Sequence, residues 1–167
     1  DGTPRRLSDL AGHGQIVVLQ WYNPTCRFIV KYHERHDTMR ELYERFGPDQ
    51  GVVWVAVNSG SIESGTADPA LNRERAAAQG VQYPILLDPE GAVGQLYGAK
   101  VTPQFFLIDG DGVVRWVGTV DNDPSERWLG RRPLLSDAIA VLQAGSLPPT
   151  SDVSLFGCAV KYAISHD

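Results

Sequence analysis

Ile16-Val17-Val18-Leu19-Gln20-Trp21, then Tyr22-Asn23-Pro24-Thr25 and Cys26, is the stretch on which the fold turns. The first six residues are a short apolar run, bounded upstream by Gly12 and Gly14 and downstream by Asn23-Pro24, and they read as a buried strand. Beyond Cys26 the period changes. Ile29, Tyr32, His36, Met39, Leu42, Tyr43 and Phe46 recur at three- and four-residue spacing with charged residues between them, which predicts one helix from Arg27 to Phe46. Gly47-Pro48 stops it. Cys26 therefore stands where a strand hands over to a helix.

The same alternation continues outward. Val52 to Val57 is a second buried strand, and Asn58 to Thr66 a polar, Gly-rich loop. Asp68-Pro69 opens a helix that runs to about Gln79. Ile85–Leu87 is a short strand and Ala92 to Tyr97 a short helix. Gln104 to Ile108 and Val113 to Val120 are strands joined by Asp109-Gly110-Asp111-Gly112, a strong hairpin signal. Pro133 to Ala144 is a last amphipathic helix, and Gly145 to Ser151, with Pro148-Pro149, reads as a linker. The order β-α-β-α-β-α-β-β-α implies an α/β fold: a central mixed sheet, helices on both faces and an antiparallel edge hairpin. The expected organisation is a domain over 1–144 and a C-terminal tail over 145–167 that carries Cys158.

Composition narrows the function. The chain has 167 residues, 43% hydrophobic and 21% charged, which is globular rather than disordered. A net charge of −5 argues against a nucleic-acid partner. The longest strictly apolar run, Val52 to Val57, is far too short for a membrane span. Asp1-Gly2-Thr3-Pro4 has neither Met nor a signal core, so the chain reads as a mature or trimmed form. Two cysteines, Cys26 and Cys158, are too few for a disulfide scaffold or a Cys-rich zinc site.

A thiol at a strand-to-helix junction lies at the positive end of the helix dipole, which favours the nucleophilic thiolate, and Arg27 adds a neighbouring positive charge. The plain alternative is an inert buried cysteine. Pro103, just before the apolar strand Gln104–Ile108, is a second point of interest. It is either a cis-proline or an ordinary trans proline opening a strand.

Taken together these residues resemble the thioredoxin-like superfamily, and within it the redoxin branch of alkyl hydroperoxide reductase and thiol-specific antioxidant proteins. Trp21-Tyr22-Asn23-Pro24-Thr25-Cys26-Arg27-Phe28-Ile29-Val30-Lys31-Tyr32-His33 is similar to a Trp-x-Asn-Pro-x-Cys-Pro-Phe-Val-x-Lys-His-Tyr pattern of one subfamily. Leu87-Asp88-Pro89-Glu90-Gly91, Thr102-Pro103 and Phe106-Leu107-Ile108-Asp109-Gly110 follow in the family's order, and Gly157-Cys158-Ala159-Val160-Lys161-Tyr162 looks like the subfamily's C-terminal signature. The resemblance implies that Cys26 is the redox cysteine. It implies a cis Pro103 facing that thiol, a Thr102 backbone ready to pair with a substrate chain, and Trp21 near the site.

Departures from the pattern shape the expected chemistry. Ile29 stands where a dithiol oxidoreductase has its second cysteine, so no local dithiol exists. Arg27 replaces a proline of the subfamily pattern. Asn23 holds the position where peroxiredoxins have Thr or Ser, with Pro24 two residues before the thiol, and Asn23 is a candidate to orient a peroxide or the thiolate. Cys158 is then the candidate partner of Cys26, as a redox couple or as a structural clamp. The expected activity is thiol redox chemistry on protein thiols and disulfides or on a small peroxide. No cofactor is called for, and the reductant is left open. The other class of reading is a non-catalytic module with a structural Cys26–Cys158 disulfide. His33 and His36 suggest a metal pair only weakly, because Glu34 and Arg35 between them point to a helix surface. The resemblance implies a bacterial cell-envelope location, periplasmic or secreted, with the cytoplasm as the alternative.

Overall fold

The computed structural model describes residues 3–11, 14–150 and 154–163. Asp1, Gly2, Gly12 and the linker's last residue Ser151 lie outside the described residues. After a short helix α1 (Leu7–Leu10), strand β1 (Ile16–Trp21) enters the middle of a five-stranded sheet of order β3-β2-β1-β5-β6. It runs parallel to β2 (Val52–Asn58) and antiparallel to β5 (Gln104–Ile108), so that Trp21 lies opposite both Val57 and Gln104. β3 (Ile85–Leu87) extends the parallel side and β6 (Val114–Gly118) the antiparallel side.

A strand with neighbours on both edges and layers on both faces reads as an unbroken apolar run, because each side chain is buried whichever way it points. Val18, Trp54, Ala56, Phe105 and Leu107 face one core with α6 (Leu134–Gln143). Val17, Leu19, Trp21, Val55, Val57 and Phe106 face the other, with Leu7, Leu10 and Tyr97 of α5 (Ala92–Tyr97). No helix among the described residues is long and apolar enough to cross a membrane.

The edge hairpin forms at Asp109–Gly112, where Asp109 Oδ1 accepts the N–H groups of Asp111 and Val113. Its second strand is shorter than the Val113–Val120 expected. The Val113 carbonyl closes the turn onto Asp109 N, and the Val120 carbonyl accepts from Leu135 N at the start of α6, so neither end is free for the ladder.

The helix expected over 27–46 is three pieces: α2 (Arg27–Val30), a π-helical turn (Lys31–Arg35) and α3 (Thr38–Arg45), broken at Asp37 with φ +50°. The wider turn lets three successive residues, Lys31, Tyr32 and His33, all point inward. Lys31 is wholly buried. Its ammonium donates to the carbonyls of Asp123 (2.9 Å) and Ser125 (3.0 Å) and lies 3.7 Å from Asp121 Oδ1, which also accepts from Tyr32 (2.9 Å). A buried charge persists only when so paired. Apolar periodicity cannot register a lysine whose partners lie about ninety residues away.

His33, expected on a helix surface, is instead buried. Gln20 Oε1 accepts from Tyr83 (2.5 Å), which leaves the Gln20 amide N–H to donate to His33 Nε2 at 3.3 Å. Burial, the largest cause, holds this histidine neutral and lowers its pKa to about 4. In the unfolded chain a histidine gains its proton near pH 6.5, whereas the folded one refuses it until about pH 4. The stability it contributes is thus present above pH 6.5 and lost as pH falls toward 4, by on the order of 3 kcal/mol. Urea melts of the parent across this window should show that loss, and His33→Gln should flatten the slope. An unchanged slope in His33→Gln would remove His33 as its source.

Candidate functional site

The turn below Cys26 is built by Asn23. Its side-chain oxygen accepts from the Thr25 N–H and the Thr25 hydroxyl, each at 2.9 Å, and its carbonyl accepts from Cys26 N at 3.1 Å. The Pro24 carbonyl is held from the side by Arg75 Nε (3.3 Å) and Gln79 Nε2 (3.4 Å), both on or just past α4 (Pro69–Ala78). Gln79 Oε1 in turn accepts from the Tyr22 hydroxyl at 2.7 Å. Cys26 is the N-cap of α2, with extended backbone and no capping hydrogen bond from its side chain, so the sulfur is free to point elsewhere.

It points at Thr102. Cys26 Sγ lies 3.1 Å from the Thr102 carbonyl oxygen, and the Thr102–Pro103 peptide is cis. Thr102 ends a two-residue strand β4 (Val101–Thr102), which pairs antiparallel with β7 (Cys158–Ala159), Thr102 opposite Cys158. The Thr102 hydroxyl donates to the Cys158 carbonyl at 3.3 Å. Gly157 makes the approach possible: at φ +152° it lies against Thr102, and a Cβ there would overlap the Thr102 carbonyl. The outcome is a thiol pair, with Cys26 Sγ and Cys158 Sγ 2.6 Å apart.

The two thiols differ. Cys26 is only 2% exposed, whereas Cys158 is partly exposed. Burial, and then the adjoining Cys26, push the Cys158 thiol up to about 11. The backbone N–H groups of Arg27 and Phe28 act against this by pointing at the Cys158 sulfur. The helix start thus serves Cys158. Phe156 carries the approaching tail past α2, its ring 5.8 Å from that of Phe28.

Cys26, Cys158, Thr102, Pro103 and the Asn23–Pro24 turn come together. Two other expected site residues are engaged elsewhere. The Arg27 side chain is 75% exposed and reaches Glu126 at 3.0 Å, a surface pair worth about 0–1 kcal/mol. The Trp21 ring packs with Tyr97 and Phe106 in the second core, and its indole N–H donates to Ser59. His33 and His36 are separately used, His36 Nε2 lying 2.7 Å from the Arg127 carbonyl oxygen.

Sequence reasoning missed Gly94, which lies against the Tyr162 ring, and Gln79, which holds the Pro24 carbonyl. Their signal is only that of a small residue inside a short helix and a polar residue at a helix end.

A central strand leading to a cysteine at a helix N-cap, with a cis-proline opposite, defines a thioredoxin-like fold. The solution structure of a thioredoxin-like protein in the oxidized form superposes with TM-score 0.66 at 17% identity, covering 86% of this chain and 87% of that one. A conserved uncharacterized protein from Geobacillus kaustophilus superposes with TM-score 0.84 at 26% identity, over 99% and 86%. Residues 1–117 match the AhpC/TSA family. Thiol-disulfide oxidoreductase ResA of Geobacillus thermodenitrificans (strain NG80-2) is 33% identical over 132 residues, 77% of this chain and 68% of the relative. The chain belongs to the AhpC/TSA family, and it is a thiol redox protein.

The raised Cys158 thiol has a consequence at alkaline pH. In the unfolded chain this thiol loses its proton near pH 9, while the folded protein retains it to about 11. The reduced protein should therefore lose stability as pH rises from 9 to 11. Urea melts at pH 8 and pH 10.5 should show a steeper loss for the reduced parent than for Cys158→Ser, which shares every tyrosine but lacks the thiol. Equal losses would contradict the assignment.

Proposed function

We propose that this protein exchanges disulfides with other proteins, Cys26 acting as the attacking thiolate and Cys158 as the resolving thiol. The observation that carries this reading is the 2.6 Å approach of the two sulfurs beside the Thr102–Pro103 peptide. The Cys26 thiolate attacks one sulfur of a client disulfide, and the other client sulfur leaves as a thiolate and takes up a proton. Cys158, deprotonated in turn, attacks Cys26 Sγ and displaces the second client thiolate. The client gains two electrons and the protein keeps a Cys26–Cys158 disulfide. A dithiol reductant must then restore both thiols.

Protein disulfides are favoured over peroxide as substrate by the ResA relatives, which are named thiol-disulfide oxidoreductases. The Asn-Pro-x-Cys and Gly-Cys-x-Val-Lys-Tyr motifs support reading the chain as one of a redoxin branch with these signatures. In that reading residues 1–144 are the thioredoxin-like domain and 145–167 the tail. An oxidising cell-envelope compartment suits a protein whose two thiols are poised to join.

The low exposure of Cys26 also favours a second reading, in which the pair is a structural clamp. One comparison separates the two. Cys26→Ser should abolish turnover of a protein disulfide while leaving the melting temperature of the reduced protein nearly unchanged. A clamp would show no turnover to lose, and Cys26→Ser would instead cost the oxidised protein about 2–5 kcal/mol. Peptide maps after mild oxidation should join Cys26 to Cys158, and two free thiols there would contradict both readings.

A further inference from the structure

A thiol assigned to attack other molecules is here 2% exposed. The chain's own tail lies against it, with Cys158 Sγ 2.6 Å from Cys26 Sγ. β7 lies on β4 as an added strand, and Val160 N extends the pairing by donating to the Lys100 carbonyl at 3.0 Å. Extended polypeptides commonly bind an exposed sheet edge in this way, with main-chain hydrogen bonds giving affinity and side-chain pockets giving selectivity. Cys158 stands opposite Thr102 in this pairing.

A ladder of two residues is marginal alone. The tail has a second hold further on. Lys161 O accepts from Ser61 N at 2.7 Å, and the Tyr162 hydroxyl donates to the Ala99 carbonyl at 2.7 Å. The Tyr162 ring fills a notch over α5 made by two missing side chains. A Cβ on Gly91 would stand 2.6 Å from a ring carbon, and one on Gly94 would stand 2.5 Å from the phenolic oxygen. The floor of the notch is fixed, because Asp88 Oδ2 accepts from both Gly94 N (2.9 Å) and Ser59 Oγ (2.7 Å).

We propose that residues 157–162 are a resident strand on a polypeptide-binding edge, latched by Tyr162 in the Gly91/Gly94 notch. An outside strand reaches Thr102 and Cys26 only after the tail lifts. The surface fits an extended segment with a cysteine opposite Thr102 and an aromatic residue four positions later, as Cys158 and Tyr162 are spaced. This rests on the reading of Cys26 as the attacking thiol. When both cysteines are thiols, the latch holds the tail down together with the short ladder, the Ser61–Lys161 hydrogen bond and the packing of Phe156 and Val160. Tyr162 is then a positioning residue that sets how often Cys26 is open.

The test is alkylation of Cys26 by iodoacetamide in a Cys158→Ser background, where Cys26 is the sole thiol. Adding Tyr162→Ala should speed alkylation about tenfold or more, measured well below the melting transition, since one anchored aromatic contact governs the local opening. Tyr162→Phe, which retains the ring, should fall between. Gly157→Val, which forces the tail off the Thr102 carbonyl, should be fast as well. If Tyr162→Ala alkylates at the background rate, the latch is overturned whatever Gly157→Val does. A gain that merely follows a drop in melting temperature overturns it too. The assay needs no turnover, so its outcome is independent of whether Cys26→Ser abolishes disulfide exchange.

Discussion

Two distant parts of the chain meet at the backbone of Thr102. The Cys26 thiol lies against its carbonyl, while the tail brings Gly157, which crosses it with no side chain in the way, and β7, which pairs with its strand. The two come from opposite ends of the sequence, so the surrounding architecture can be read as the means of holding them in register. β1 and the Asn23 turn deliver Cys26. The short β4 strand, running through the cis peptide into β5, presents Thr102. The notch over α5 fixes the far end of the tail. A shift of one residue in β7 would turn Cys158 to the opposite side of its strand and break the thiol pair, since side chains alternate across a strand.

Beneath this junction lies an interior that holds several polar groups. Tyr83, Gln20 and His33 form one hydrogen-bonded chain, while Gln79 ties Tyr22 to the Pro24 carbonyl. Lys31 binds the 121–125 loop to the turn after α2. Burying such groups costs free energy unless each finds a partner, and among the described residues no buried side-chain nitrogen or oxygen lacks one. What these contacts provide is direction. An apolar core would accept α2 in several rotations, whereas a lysine held by two specific carbonyls and a carboxylate accepts one. That fixes the helix start, and with it the sulfur of Cys26.

The two cores divide the labour of the tail. Cys158 and Phe156 pack against the one that holds Cys26, and Val160 against the one that holds Trp21. The tail thus contacts both layers of the core. This explains why Trp21, only five residues before Cys26, belongs to the neighbourhood of Tyr97 rather than to that of the thiol. Successive residues of a strand face opposite layers, so closeness along the chain does not make them neighbours in space.

Every sheet strand from β1 to β6 except β4 was legible in the order of apolar runs and turn residues. So was the strand-to-helix junction at Cys26, because these features are local: a buried strand is an apolar run, and Asn-Pro or Asp-Gly is a turn wherever it stands. The cysteine pair could be named as a possibility, but not distinguished from two separate thiols. The break after α2, the burial of Lys31 and His33, the β4–β7 pairing and the Tyr162 notch were decided only in three dimensions. Each depends on a partner far along the chain, and two of them on the absence of a side chain. Local periodicity carries no information about which distant carbonyl a lysine will meet, or which glycine leaves room for a ring.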